Sequence, residues 1–141
     1  MTRRYLLFAL IAVVMVGVAG CSSSDSPCCP DCNTDADVQN ITAAQLQEMM
    51  NDGQPLVLAD VRTQEEYDAG HIPGSLHLPL DEIAQWSQTL DPDTRICCIC
   101  AIGGRSAEAA ETLVKAGFSD VYNLTGGMNG WTGEVDTTPE E

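Results

Sequence analysis

Cys100 closes the apolar run Ile96 to Ile99 and is followed by Ala101, Ile102, Gly103, Gly104, Arg105 and Ser106. A cysteine where a strand gives way to a glycine-containing turn and then a helix is placed to work as a thiolate. Four residues separate Cys100 from Arg105, enough for the turn to curl its backbone N–H groups around the sulfur. Ser106 stands where it can cap a helix running through AEAAETLVKAG. A helix start carries partial positive charge and unpaired N–H donors, which favour S⁻ over SH and draw a thiol below its free pKa of about 8.5. The plain alternative is a buried cysteine packing as a small hydrophobe. Gly103 and Gly104 speak against it.

These residues need a scaffold, and the chain alternates strand and helix signals around them. Val38 to Ile41 reads as a short strand, and Thr42 with Gln45 forms a capping box opening a helix that ends near Gly53. Leu56 to Val61 is a continuous apolar run of the kind found in strands buried on both faces. Thr63 and Glu66 repeat the capping-box signal for a short helix reaching Ala69, stopped by Gly70. His71 to Gly74 form a turn, Ser75 to Leu78 a short strand, and Asp81 to Thr89 a helix with Ile83 and Trp86 on one face. Arg95 to Cys100 is the next buried strand, Ser106 to Ala116 a helix ended by Gly117, and Val121 to Leu124 a last strand before Gly126 and Gly127. The expected fold is α/β, with a mainly parallel central sheet and helices on both faces. Sites in such sheets gather beyond the carboxyl ends of the strands, where Cys100 falls.

The 141 residues allow one ordinary domain once the ends are set aside. Arg3 and Arg4 precede an apolar run from Tyr5 to Val18, and Ala19 and Gly20 lead to Cys21, the layout of an export signal. The run is shorter than the roughly 20 residues a membrane span needs. VAGC resembles a bacterial lipobox, which implies cleavage before Cys21 and its lipidation; ordinary cleavage after Gly20 is the alternative. The expected location is the cell envelope, lipid-anchored on its periplasmic face, and Ser22 after the cysteine leans towards the outer membrane. Residues 21–37 read as a Cys/Ser/Asp-rich tether, residues 38–131 as the domain, and residues 132–141 as an acidic tail without structure. Loss of residues 1–20 removes two arginines and no acids, so the formal charge moves from −15 to −17. That excludes nucleic acid as a natural partner and leaves a solvated acidic surface or a face for a basic partner.

Three separated segments, in order, carry a family resemblance. DVRTQEEYDAGHIPGSLHLPL (Asp60 to Leu80), CAIGGRS (Cys100 to Ser106) and GFSDVYNLTGGMNGW (Gly117 to Trp131) are similar to the motifs of a single rhodanese domain, the sulfurtransferase fold. The resemblance implies Cys100 as nucleophile, Gly103 as the loop glycine and Arg105 as the closing arginine. Related phosphatases and arsenate reductases carry a loop one residue longer, CxxxxxR, sized for a tetrahedral anion, whereas CxxxxR here fits transfer of a single sulfur atom. The implied scheme takes a sulfane sulfur onto Cys100 as a persulfide and yields it to a thiol or other nucleophile in two covalent steps. The backbone N–H groups of Ala101 to Arg105 would hold the charge. Arg105 either adds charge to the anion or fixes the loop by bonding backbone carbonyls; its planar fork favours the second. Family loops often place Arg or Lys after the cysteine and a hydroxyl residue next, where this chain has Ala101 and Ile102. A small dianion such as thiosulfate loses charge-assisted hydrogen bonds there, while polysulfide or a protein or small-thiol persulfide needs less positive charge.

Asp60 and Arg62, at the end of a buried strand, read as supporting scaffold that pairs internally or with loop backbone. Neither His71 nor His77 lies in a motif that makes it a general base, and Tyr122 and Trp131 read as packing residues. Five further cysteines remain: Cys28, Cys29, Cys32, Cys97 and Cys98. Cys98 shares a strand face with Cys100 and is either a relay thiol or core packing; Cys97 faces the other side. CCPDC holds a CxxC that is either a redox-active pair or an incidental disulfide, and without a fourth ligand it sets no metal site. No cofactor or metal is expected, and the expected state is a monomer meeting a small sulfur donor or a protein persulfide. The rival reading is a non-catalytic binding or redox-sensing module on the same fold.

Overall fold

The computed structural model describes residues 37–137. The signal segment, Cys21, the CCPDC thiols and the last four residues lie outside the described residues. Five strands form one sheet: β1 (Gln39–Ile41), β2 (Val57–Asp60), β3 (Leu76–His77), β4 (Ile96–Ile99) and β5 (Val121–Leu124). Their order across the sheet is β1-β5-β4-β2-β3, and every pairing is parallel. The fold is therefore α/β around a parallel sheet, with β4 at its centre.

The helices are α1 (Ala43–Asn51), α2 (Gln64–Asp68), α3 (Ile83–Trp86) and α4 (Gly104–Lys115). Both capping boxes form. Thr42 accepts from the Gln45 N–H while the Gln45 side chain accepts from the Thr42 N–H, and Thr63 and Glu66 do the same for α2. The helix expected over 81–89 is one α turn between two 3₁₀ turns, Leu80–Glu82 and Ser87–Thr89. Trp86 still anchors it, buried and donating its indole N–H to the Pro79 carbonyl at 3.0 Å.

The strand β4 deals its side chains alternately to two cores. Ile96, Cys98 and Cys100 pack with Trp86 of α3, with Ala109, Ala110 and Leu113 of α4, and with Phe118. On the opposite face Cys97 and Ile99 pack with Ile41, Ile72, Leu124 and Leu46 of α1. Each fully buried Leu or Phe contributes about 1.5–3 kcal/mol, so both faces of the central strand are held by burial rather than by sheet hydrogen bonds alone.

Residues 132–137 depart from the expected unstructured tail. His71 and Asp136 exchange two backbone hydrogen bonds, each 2.8 Å, and the Trp131 indole donates to the Glu134 carbonyl at 2.9 Å. The apolar-poor composition hid this because the contacts are made by main chain and one aromatic ring. Among the described residues no helix is long and apolar enough to cross a membrane.

Candidate active site

At the carboxyl end of β4, the loop from Cys100 to Gly103 turns back on its own sulfur. The Gly103 N–H donates to Cys100 Sγ at 3.0 Å. Gly103 does so at φ 100°, a left-handed conformation that a Cβ would strain, and it is the N-cap of α4. The helix therefore opens at Gly104, two residues before the expected start, and Ser106 is not its cap. Ser106 is instead a buried first-turn residue whose hydroxyl lies 2.7 Å from Asn123 Oδ1 and 3.3 Å from Cys100 Sγ. One hydroxyl proton serves either acceptor. Asn123 in turn donates to Asn40 Oδ1 at 2.8 Å, so a polar chain runs from the sulfur across β5 to the edge strand β1.

The electrostatic balance at the thiol follows. Burial opposes ionisation, but the Ser106 hydroxyl and the backbone N–H groups of Ser106, Ile102 and Gly103 together outweigh it, and Cys100 lies below its ordinary pKa. The Ser106 hydroxyl leads, and of the N–H groups expected from Ala101 to Arg105 those of Ile102 and Gly103 take part. Burial has the opposite result at the neighbouring thiols: Cys98 is pushed up to about 12, and Cys97 is raised further. Both are fully buried, so Cys98 is core packing and the relay role does not follow.

The carbonyls of the loop point away from the sulfur and are tied from outside. Met128 N–H donates to the Cys100 carbonyl at 2.8 Å and Asn129 N–H to that of Ala101 at 3.0 Å. Both donors sit in the 3₁₀ turn Gly127–Gly130. Ala101 is half-buried, while Ile102 stands at the rim, 71 % exposed.

Arg105 does not fix the loop by bonding its carbonyls, the expectation its planar fork favoured. Its two terminal nitrogens fork onto the Glu66 carboxylate, each contact 2.8 Å, and no backbone carbonyl takes them. Glu66 thus has two tasks, capping α2 and holding Arg105, and the Arg105 hydrogen bonds keep its carboxyl down at about 2. Asp60 and Arg62 pair with each other, at 2.6 Å, as expected of scaffold. Arg62 also donates to the Gly70 carbonyl at 2.7 Å, tying the end of β2 to the close of α2. The pair is almost entirely buried, and removal of one partner from such a pair costs about 3–5 kcal/mol. The His71 ring stacks on Tyr67 at 3.8 Å between centroids, and His77 Nε2 lies 2.9 Å from the Arg62 carbonyl, so both histidines are held in structural contacts.

The sequence brought Cys100, its loop, Asp60 and Arg62 to one end of the sheet. It missed Asn123 and Asn40 as partners of Ser106, and Glu66 as the partner of Arg105. A polar residue at a buried position of β5, Asn123, was the available signal for the first pair.

The fold is that of a rhodanese-like module. Residues 42–134 match the model of the Rhodanese-like domain, and the chain belongs to that family. Thiosulfate sulfurtransferase GlpE of Pseudoalteromonas translucida is 40% identical over 93 residues, covering 66% of this chain and 88% of that protein. "Putative sulfur carrier protein YrkF" of Bacillus subtilis is 36% identical over 99 residues; the match takes in 70% of this chain but only 54% of that protein's length. Among solved structures, the rhodanese-like domain protein of Staphylococcus aureus superposes with a TM-score of 0.67 at 31% identity, over 72% of this chain and all of that one. Sulfurtransferase activity is the family-level function these relatives support.

Proposed function

We propose that Cys100 accepts a sulfane sulfur as a persulfide and passes it to a thiol or another nucleophile. The observation that carries this reading is the Gly103 N–H at 3.0 Å from a sulfur whose pKa is lowered by its own loop. In the first step the Cys100 thiolate attacks the outer sulfur of the donor, a new S–S bond forms at Sγ, and the donor's own bond to that sulfur breaks with the electron pair leaving on the donor. In the second step the acceptor attacks the outer sulfur and Cys100 departs as thiolate, the state the loop already stabilises. No external oxidant or reductant enters.

Export and anchoring through a lipidated Cys21 belong to the same reading, supported by Arg3, Arg4, the apolar run and VAGC. The envelope would then be where the sulfur is exchanged.

Cys100 is only 1 % exposed, and that observation favours the second reading, a binding or redox-sensing module. Intact mass of the reduced protein before and after excess polysulfide or thiosulfate separates the two. A gain of one sulfur that cyanide removes and Cys100→Ser lacks is the expected result. A folded, reduced Cys100 that gains nothing from either donor would overturn the transfer reading.

A further inference from the structure

Positive charge is scarce around the loop, and none of it is unpaired. The described residues hold four cationic side chains, Arg62, Arg95, Arg105 and Lys115. Asp60 pairs with Arg62 at 2.6 Å, Asp52 with Arg95 at 2.7 Å, Glu66 with Arg105 at 2.8 Å and Glu111 with Lys115 at 3.8 Å. Of these cations Arg105 is the one whose charge is felt with that of Cys100, and each of its terminal nitrogens donates to the Glu66 carboxylate, which offsets that charge. A small pocket of about 120 Å³ beside it is lined by the apolar Val61, Pro79 and Leu80 together with Thr63, Asp81 and Arg62, whose charge is taken up by Asp60. Ile102 presents its apolar side chain at the loop rim, 71 % exposed.

We propose that Glu66 determines donor choice by engaging Arg105, so that the site takes sulfur from the persulfide of an organic thiol and discriminates against small inorganic dianions such as thiosulfate. This rests on the persulfide reading of Cys100 and names its donor class. A sulfonate gives up strong hydration on entering the loop and needs charge-assisted hydrogen bonds in return. Arg105 spends two of its five N–H donors on Glu66, and the Glu66 carboxylate offsets the charge that would make the others strong. An organic persulfide needs no such partner: its carbon stem lies on apolar surface of the Ile102 kind, and only its terminal sulfur has to reach Cys100. The Cys100 thiolate attacks that terminal sulfur, the S–S bond of the donor breaks, and its thiol leaves as thiolate to take a proton from water. The sulfane sulfur keeps its oxidation state.

Glu66→Gln tests the assignment, because glutamine retains the capping-box acceptor while removing the charge. The measurement is the second-order rate of sulfur loading onto Cys100 in the full chain, read by rapid quench and intact mass, with thiosulfate and with 2-mercaptoethanol persulfide. The expected result is an increase of about tenfold for thiosulfate in Glu66→Gln, weakened by added salt, with the persulfide rate changed less than about threefold. Ile102→Lys, a change at an exposed position, should raise the thiosulfate rate in the same direction. Equal changes for both donors in Glu66→Gln, or a lower thiosulfate rate, would overturn the role given to Glu66. Wild-type protein that loads from neither donor would instead overturn the persulfide reading beneath it.

Discussion

Gly127 and Cys100 meet backbone to backbone: a Cβ on residue 127 would collide with the Cys100 carbonyl oxygen and lie 2.6 Å from the Ala101 carbonyl carbon. Gly127 also holds φ 52°, in the left-handed region. The missing side chain lets the 3₁₀ turn approach closely enough for Met128 and Asn129 to take the loop carbonyls. Gly127→Ala should therefore push the turn off the loop. The expected outcome is a loss of about 2–4 kcal/mol in urea unfolding, from strain and two lengthened hydrogen bonds, together with at least about tenfold slower sulfur loading. Unchanged loading in a folded Gly127→Ala would show that the turn does not position the loop.

Ser106→Ala should move reactivity along the pH axis. Transfer requires the thiolate, so its rate rises with pH through the Cys100 pKa. Loss of the hydroxyl removes a hydrogen bond that favours S⁻, and the rise should shift to higher pH. A hydrogen bond to a charged group is worth about 1.5 kcal/mol, so alkylation at pH below the wild-type Cys100 pKa should slow on the order of tenfold while the high-pH plateau stays in place. Iodoacetamide kinetics between pH 5 and about pH 10 check this. Below the Cys100 pKa, where the hydroxyl proton turns to Asn123 Oδ1, the same change should instead cost about 1–3 kcal/mol of stability by leaving that buried oxygen without its donor.

The Arg105–Glu66 pair predicts a pH window for stability. Glu66 is held at about 2 in the folded chain against 4.5 as its ordinary value. A depressed carboxyl contributes stability that is complete above 4.5 and is lost as pH falls towards 2. Both side chains are more than a third exposed, so solvent screening keeps the contribution small. Urea midpoints of wild type and Glu66→Gln should differ at neutral pH, with wild type the higher, and converge as pH falls through that window. A gap that persists at the acid end would place the effect elsewhere than in the ion pair.

Local chemistry was legible in the sequence and cross-strand chemistry was not. The two capping boxes and the apolar runs of β2 and β4 speak through neighbouring residues, and the alternation of Cys97, Cys98 and Cys100 over two faces needs only the period of a strand. The cap was placed three residues late, at Ser106, because Ser is the common N-cap, whereas the cap here is Gly103 in a left-handed conformation that composition does not announce. The partner of Arg105 lies 39 residues away on α2, and the partner of Ser106 lies 17 residues away on β5. Glu66 announced itself only as a capping residue, a role that leaves its second task unseen. The His71 to Asp136 bridge escaped for a related reason, since main-chain pairing leaves little trace in side-chain pattern.

The loop draws its anion-holding donors from peptide N–H groups and one serine hydroxyl, and its carbonyls are fastened by the backbone of the Gly127 turn. In the proposed reading the lowered thiol thus rests on main chain and one serine, while donor choice rests on Glu66, Arg105 and the side chains at the loop rim. The side chains of Ala101 and Ile102 contribute none of these donors, so the rim of the loop can be recut, in that reading, while the chemistry at its base is left alone.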